Sequence, residues 1–253
     1  MLKNQQRLLL VSLIGMLCAQ TAFANEINSA ALMSWLQSSY VISASTGLSM
    51  EQAGQTQTLT LAPDVIKTYK ANTSTYTLAT NNLFFGVQTC LPKNVQGQFG
   101  LDFAGTSSAK LSGDVWDDAD PAFDNYTYQY KIQHFHAALK GKLLRDFNLP
   151  VIPWISAAIG VGFNKAHAFS NTPTIFEAVS TPNFTSRTTT ALTYTLGIGV
   201  QRQLNPNWQI GLGYEFADWG KSELGHADGS SSSGLSLSHL YTNSVLLNLT
   251  YLA

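Results

Sequence analysis

The stretch WQIGLGYEF (residues 208–216) alternates with a period of two. Trp208, Ile210, Leu212, Tyr214 and Phe216 fall on one face, and Gln209, Gly211, Gly213 and Glu215 on the other. Successive side chains of a strand point to opposite sides, so this segment reads as a strand with one apolar and one small, polar face. The pattern recurs along most of the chain, and no helical periodicity supplies a cover for the apolar faces. The cover this implies is lipid.

Working outward, the alternation predicts eight strands at 40–50, 78–91, 95–111, 126–145, 151–168, 187–203, 208–216 and 239–252. In 151–168, Ile155, Ala157, Ile159, Val161 and Phe163 oppose Ser156, Ala158, Gly160, Gly162 and Asn164. In 126–145, Phe135, Ala137, Leu139 and Leu143 oppose His134, His136, Lys140 and Lys142. The upper half of that strand, YTYQYKIQ, loses the phase, which predicts a bulge or an extension above the bilayer. Three connections are short (91–94, 146–150, 205–207) and four are long (51–77, 112–125, 170–186, 222–238). Short turns at one end and long loops at the other are the pattern of a bacterial outer-membrane barrel, and an even strand number puts both termini at the short-turn end. Closure follows from hydrogen bonding. Hydrocarbon offers no partners, so backbone groups must pair within the protein, and a closed sheet has no edge. The expected fold is therefore all-β, an eight-stranded antiparallel up-and-down transmembrane β-barrel. A barrel of that size is filled by side chains. Inward glycines at 160, 162, 197, 199, 211 and 213 would relieve crowding, and no open channel is expected.

Composition agrees. Charged residues are 11% of the chain, against about 25% in ordinary soluble domains, so much of the surface need not face water. With a formal net charge of −1 and no basic stripe, nucleic acid is not an expected partner. At the N-terminus, Lys3 and Arg7 precede the apolar run LLLVSLIGMLCA (8–19) and then Ala22-Phe23-Ala24, which predicts a signal peptide over 1–24. Residues 25–39 read as a lead-in, either a short helix or extended, with the barrel over 40–253. Leu17 is too large for lipoprotein cleavage before Cys18, and only Cys90 remains after processing, so no internal disulfide is expected. No cofactor or metal-ligand cluster is expected.

AAIGVGFN (157–164) and, above all, YTLGIGVQRQLNPNWQIGLGYEFADWG (194–220) resemble the small outer-membrane β-barrels of Gram-negative bacteria. That superfamily includes the opacity proteins and the transmembrane domain of outer-membrane protein A. The resemblance implies an outer-membrane location after export, contact with outer-membrane lipid and lipopolysaccharide, and assembly by the machinery that reads a terminal aromatic residue. Here the chain ends Tyr251-Leu252-Ala253, two residues beyond the aromatic.

Candidate residues fall into three groups. Asp102, Lys140 and Glu215 lie on polar faces at similar heights above the short turns, and would meet in the lumen as an ion-pair network. The network would be either a static filling or a gate, and pairing of buried charges favours the filling. His134, His136 and Glu215 with a nearby Ser would suit a lipid-hydrolysing barrel, but no local signature fixes a nucleophile, so a non-enzyme is expected. Trp208 and Tyr251 near the short turns, and Trp219 and Tyr241 near the outer ends, are assigned to interfacial aromatic girdles. Trp154 points inward by parity and would plug the barrel floor.

The loops, notably HADGSSSSGLSLSH (226–239), read as polar and flexible, suited to host molecules, phage or lipopolysaccharide sugars. The acidic stretch 114–124 lacks the Gly-turn spacing of a calcium loop. The expected role is structural or surface-interactive, in adhesion or envelope integrity. The alternatives are a narrow porin or conduit for small hydrophobic compounds, a lipid-modifying enzyme, and a soluble lipocalin-like barrel.

Overall fold

The computed structural model describes residues 39–178, 182–230 and 232–253, so the expected signal peptide and all of the lead-in before Ser39 lie outside the described residues. The strands in chain order are β1 (Ser39–Ala53), β2 (Gln57–Ala62), β3 (Val65–Ala71), β4 (Ser74–Leu91), β5 (Val95–Thr106) and β6 (Ala109–Asp117). They continue with β7 (Asp124–Arg145), β8 (Ile152–Pro173), β9 (Arg187–Gln203), β10 (Trp208–Asp218), β11 (Ser222–Glu223), β12 (Ser236–Leu237) and β13 (Tyr241–Leu252). Eight of them, in the order β1, β4, β5, β7, β8, β9, β10 and β13, close a ring of antiparallel pairings that returns to β1.

Local chemistry sets the tight turns. Lys93 and Asn94 both take left-handed backbone (φ 65° and 57°), which closes the three-residue turn between the paired Leu91 and Val95. Asn205 Oδ1 accepts from the N–H groups of Asn207 (3.0 Å) and Trp208 (2.9 Å), folding the chain around Pro206 into β10.

The outward faces carry the apolar residues of the alternation, such as Leu192, Leu196, Ile198, Ile155, Ile159, Leu212 and Leu247. The run Leu192–Val200 on β9 rises roughly 21 Å at a strand tilt of about 40°, most of the apolar band of about 25 Å in membrane barrels. Such a belt is far larger than the few hundred Å² a soluble monomer exposes, so its solvent is hydrocarbon.

At the long-loop end the strands leave the belt and continue. The expected third strand is divided at Ser107-Ser108 into β5 and β6, which lie in succession along one edge of β7. The expected loop over 51–77 contains β2 and β3, which extend the sheet outward from β6. On β7 the phase does not break. Tyr126, Tyr128, Tyr130 and Ile132 share the inward parity of His134 and His136, and all are buried. What changes is the chemistry of the two sides: in lipid the apolar residues face out, and above it they face in. The bulge is on the partner strand. Gln129 faces Ser170 and Lys131 faces His167, and Ala168 in the extra step has φ 55°. The inward aromatics form a second core beyond the membrane, where Tyr69 meets Tyr128 edge-on at 5.4 Å and Tyr128 stacks on Phe169 at 6.2 Å.

The stretch 226–239 is not a free polar loop. From β10 the chain turns into the barrel mouth at Gly220, whose φ of 75° and tight surroundings exclude a side chain. Leu224, Leu235, Leu237 and Leu240 are buried against the second core, and β11 pairs with β12. Gln57 on β2 exchanges side-chain hydrogen bonds with the backbone of Ser236 (2.5 and 3.1 Å). Four leucines among the serines are enough to fold the segment inward.

Candidate functional site

The inward faces meet in layers that fill the lumen. Lowest is a glutamine layer. Gln201 donates to Gln209 (2.6 Å) and accepts from the Lys142 ammonium (2.7 Å), and Gln98 donates to Gln88 (2.7 Å). Above it lies Trp154, buried as its parity requires, with Lys142 Nζ 4.5 Å from its ring centroid. A Cβ on Gly199 or Gly213 would come within 2.5 Å of that ring, so the two glycines form the shelf on which the indole rests.

The next layer joins three strands. Lys140 on β7 lies 3.3 Å from Asp102 Oδ1 on β5 and 3.0 Å from Glu215 Oε2 on β10. The three expected partners are thus brought together. Glu215 also accepts from the Asn82 amide (3.0 Å), and Asp102 lies 3.3 Å from His136 Nε2. The lysine neutralises one of two carboxylates, while an amide and an imidazole support them.

Trp219 occupies the layer above, and here the expectation is corrected. It is not a girdle residue: its side chain is 2% exposed and stacks on His134 (5.3 Å) and His136 (4.8 Å). Its indole N–H donates to Thr242 Oγ1 (2.9 Å). The reason is parity, because residue 219 continues the inward series Gln209 to Ala217 of β10. Asn164 holds it there by donating to the carbonyls of Trp219 (2.7 Å) and Lys221 (2.9 Å). With its amide nitrogen so used, Asn164 presents Oδ1 to His134 Nδ1 (3.0 Å), which therefore carries a proton. His134 Nε2 lies 3.3 Å from Glu51 Oε2.

Each His is thus held by a carboxylate, His134 by Glu51 and His136 by Asp102. Neither ring makes a hydrogen bond to a Ser hydroxyl among the described residues. Glu215 is engaged one layer below, so the grouping of His134, His136 and Glu215 with a Ser is not assembled. Among these layers is a cavity of about 30 Å³ bordered by Ser43, Phe84, Asp102, Lys140 and Trp154, enough for one or two waters.

The other girdle residues face outward. Trp208 and Tyr251 touch at 5.0 Å at the short-turn end. At the long-loop end Tyr241 stacks on Phe216 at 5.7 Å, and Tyr194 lies 6.3 Å from Phe216. Phe216 and Tyr194 therefore occupy the place expected for Trp219. In the acidic stretch, Asp117 pairs with Lys67 (2.7 Å) and Asp120 Oδ1 accepts from the Ala122 N–H (2.9 Å). Glu223 sits between Lys221 (2.9 Å) and Arg187 (3.3 Å) beyond the belt. Burial would raise its carboxyl, but Lys221, Ser233 and Arg187 outweigh burial and hold it below the usual range.

No protein-family model and no curated protein matches the sequence. Solved structures similar to this chain are small Gram-negative outer-membrane barrels. Neisserial surface protein A is 10% identical, with a TM-score of 0.40 over 84% of this chain and 96% of that one. The attachment invasion locus protein of Yersinia pestis is 16% identical, with a TM-score of 0.36 over 85% and 99%. The outer membrane protease OmpT from Escherichia coli is 7% identical, with a TM-score of 0.46 over 85% and 97%.

Proposed function

We propose that this chain is an integral outer-membrane barrel that works as a closed, non-enzymatic scaffold and carries a surface-interaction platform beyond the outer leaflet. Export by the 1–24 signal peptide and insertion by the outer-membrane assembly machinery belong to the same reading. The observation that carries it is the packed lumen: glutamines, Trp154, the Asp102–Lys140–Glu215 layer and the Trp219 stack cross it in successive layers, and the cavity among them that Asp102 and Lys140 border is about 30 Å³. A gate would need this packing to come apart, which is costly for buried ion pairs. The strands above the belt enclose a core of their own, so the outer part is rigid enough to present its tips. Those tips expose Val65, Ile66, Phe123 and Phe176, the last entirely. Exposed apolar side chains rimmed by polar residues mark interaction sites.

Two measurements test the reading. In planar bilayers the purified protein is expected to give no steady conductance above bare lipid, whereas a stable step would favour the narrow conduit. Cells displaying the protein are expected to adhere to epithelial monolayers or hydrophobic polymer. The quadruple variant V65S/I66S/F123S/F176S, at equal surface density, should lose most of that adherence. Unchanged adherence would remove the platform.

A further inference from the structure

Beyond the belt, most cations have partners. Lys67 pairs with Asp117, Lys70 lies over the Trp116 ring, and Arg187 and Lys221 share Glu223. Lys110, Lys131 and Lys165 form no ion pair among the described residues, and the strand register places these three side by side. Lys110 on β6 faces Lys131 on β7, Lys131 faces His167 on β8, and one rung nearer the lipid Gln133 faces Lys165. All three lysines are exposed on the outer surface. The next outward pair toward the membrane is Phe135 and Phe163, in contact at 6.3 Å at the top of the apolar belt.

Side chains facing each other across an antiparallel ladder sit about 5 Å apart, and like charges there destabilise the sheet. A row of three cations without a carboxylate is therefore a cost that folding alone does not explain. The nearest carboxylate on that face of β6 is Asp114, two rungs or about 13 Å further from the lipid. The second observation is a groove. The bulge at Ala168 takes β8 out of register opposite Tyr130. A hollow of about 370 Å³ opens there, bordered by Lys110, Gln129, Tyr130, Lys131 and Ala168. Bulges re-aim side chains where a surface must do something other than pair.

The structure assigns to this row a binding site for the phosphorylated sugar headgroup of an outer-leaflet glycolipid. The acyl chains would lie along the apolar belt below Phe135 and Phe163, and a phosphate would enter the groove between Lys110 and Lys131. The height decides between a lipid and a free anion: the cations stand one and two rungs above the hydrocarbon, where a headgroup phosphate must be. Ammonium–phosphate hydrogen bonds are charge-assisted and strong. The inference rests on the outer-membrane placement proposed above.

The test uses the full protein in nanodiscs of neutral phosphatidylcholine, with bisphosphorylated lipid A as probe and bound lipid counted by native mass spectrometry. The triple variant K110Q/K131Q/K165Q is expected to bind at least tenfold more weakly. The single K131Q variant should fall between it and wild type. Fully dephosphorylated lipid A is expected not to bind. The variant K93Q/R202Q, which removes exposed cations at the short-turn end, is expected to bind like wild type. Folding is checked by heat-modifiable migration on gels, which these surface changes leave intact. Equal binding by the triple variant, equal binding of dephosphorylated lipid A, or full competition by millimolar inorganic phosphate would each overturn the assignment. Recovery of wild-type protein outside the outer-membrane fraction would instead overturn the placement, a separate result.

Discussion

Replacing Lys140 with Met tests the lumen network most directly. The substitution keeps an unbranched side chain of similar length and removes the ammonium that lies 3.3 Å from Asp102 and 3.0 Å from Glu215. The Asp102 side chain is 1% exposed and that of Glu215 is 7%, so bulk water barely reaches either carboxylate, and a water in the adjoining cavity supplies no positive charge. Breaking a buried pair by deleting one partner costs about 3–5 kcal/mol. His136 and the Asn82 amide remain as partial support, which places the expected loss near the lower end. Even 3 kcal/mol is more than a hundredfold in the folding equilibrium. The control is Lys142→Met, one inward step along β7. Lys142 has no carboxylate partner among the described residues and gives up a hydrogen bond to Gln201 (2.7 Å) and the contact with the Trp154 ring (4.5 Å). That loss is expected to be about 1–2 kcal/mol. Urea unfolding in lipid vesicles, read by tryptophan fluorescence and by heat-modifiable migration, gives both values. The triple variant D102N/K140M/E215Q, which removes every charge but keeps the shape, is expected to recover most of the loss. If K140M costs no more than K142M, or the triple variant is no better than K140M, the layer is not held by its charges and the reasoning fails.

Trp219→Ala removes a buried indole stacked on two imidazoles and is expected to cost about 3–5 kcal/mol; the same urea series measures it, and planar bilayers should detect transient conductance absent from wild type. Gly213→Ala drives a Cβ to within 2.5 Å of the Trp154 ring and is expected to cost about 1–3 kcal/mol, with Trp154→Leu restoring most of it in the double variant. The Glu223 carboxyl is held below its ordinary range, so the clamp it forms with Lys221 and Arg187 contributes stability that is full above the ordinary carboxylate value. That contribution is lost as pH falls through the depressed value. Amide hydrogen exchange in β11 and β12 should speed up there, and E223Q should abolish the dependence. Burial, and then the neighbouring Lys165 and Lys131, hold the His167 imidazole below its ordinary value; K131Q should therefore move its titration upward, as read by nuclear magnetic resonance.

The barrel is legible in the sequence because a strand in lipid has one solvent on each side, and period-two parity records which side is which. The segments 187–203 and 208–216 needed almost no revision. The extension was harder to read because the rule inverts above the belt: Tyr126, Tyr128 and Tyr130 keep the parity of His136 while the apolar side changes from out to in. A polar outward face at Lys131 and Gln133, just above Phe135, was the available signal. The lumen trio followed from parity and height, and Trp154 from parity alone. Trp219 was misassigned because its height near the strand end outweighed its odd number. The Glu51–His134 contact was not legible, since residue 51 stood at the start of an assumed loop. The plug was hidden by the serines of 226–239, although Leu224, Leu235, Leu237 and Leu240 gave its buried face.

The stopper in the barrel mouth is carried by the chain between β10 and β13, and β13 is the strand that joins β1 to seal the ring. The corking segment is thus fixed at both ends to strands of the finished ring. Because both ends of the cork are woven into neighbouring staves, a single nick anywhere in it would leave two tethered halves still lodged in place.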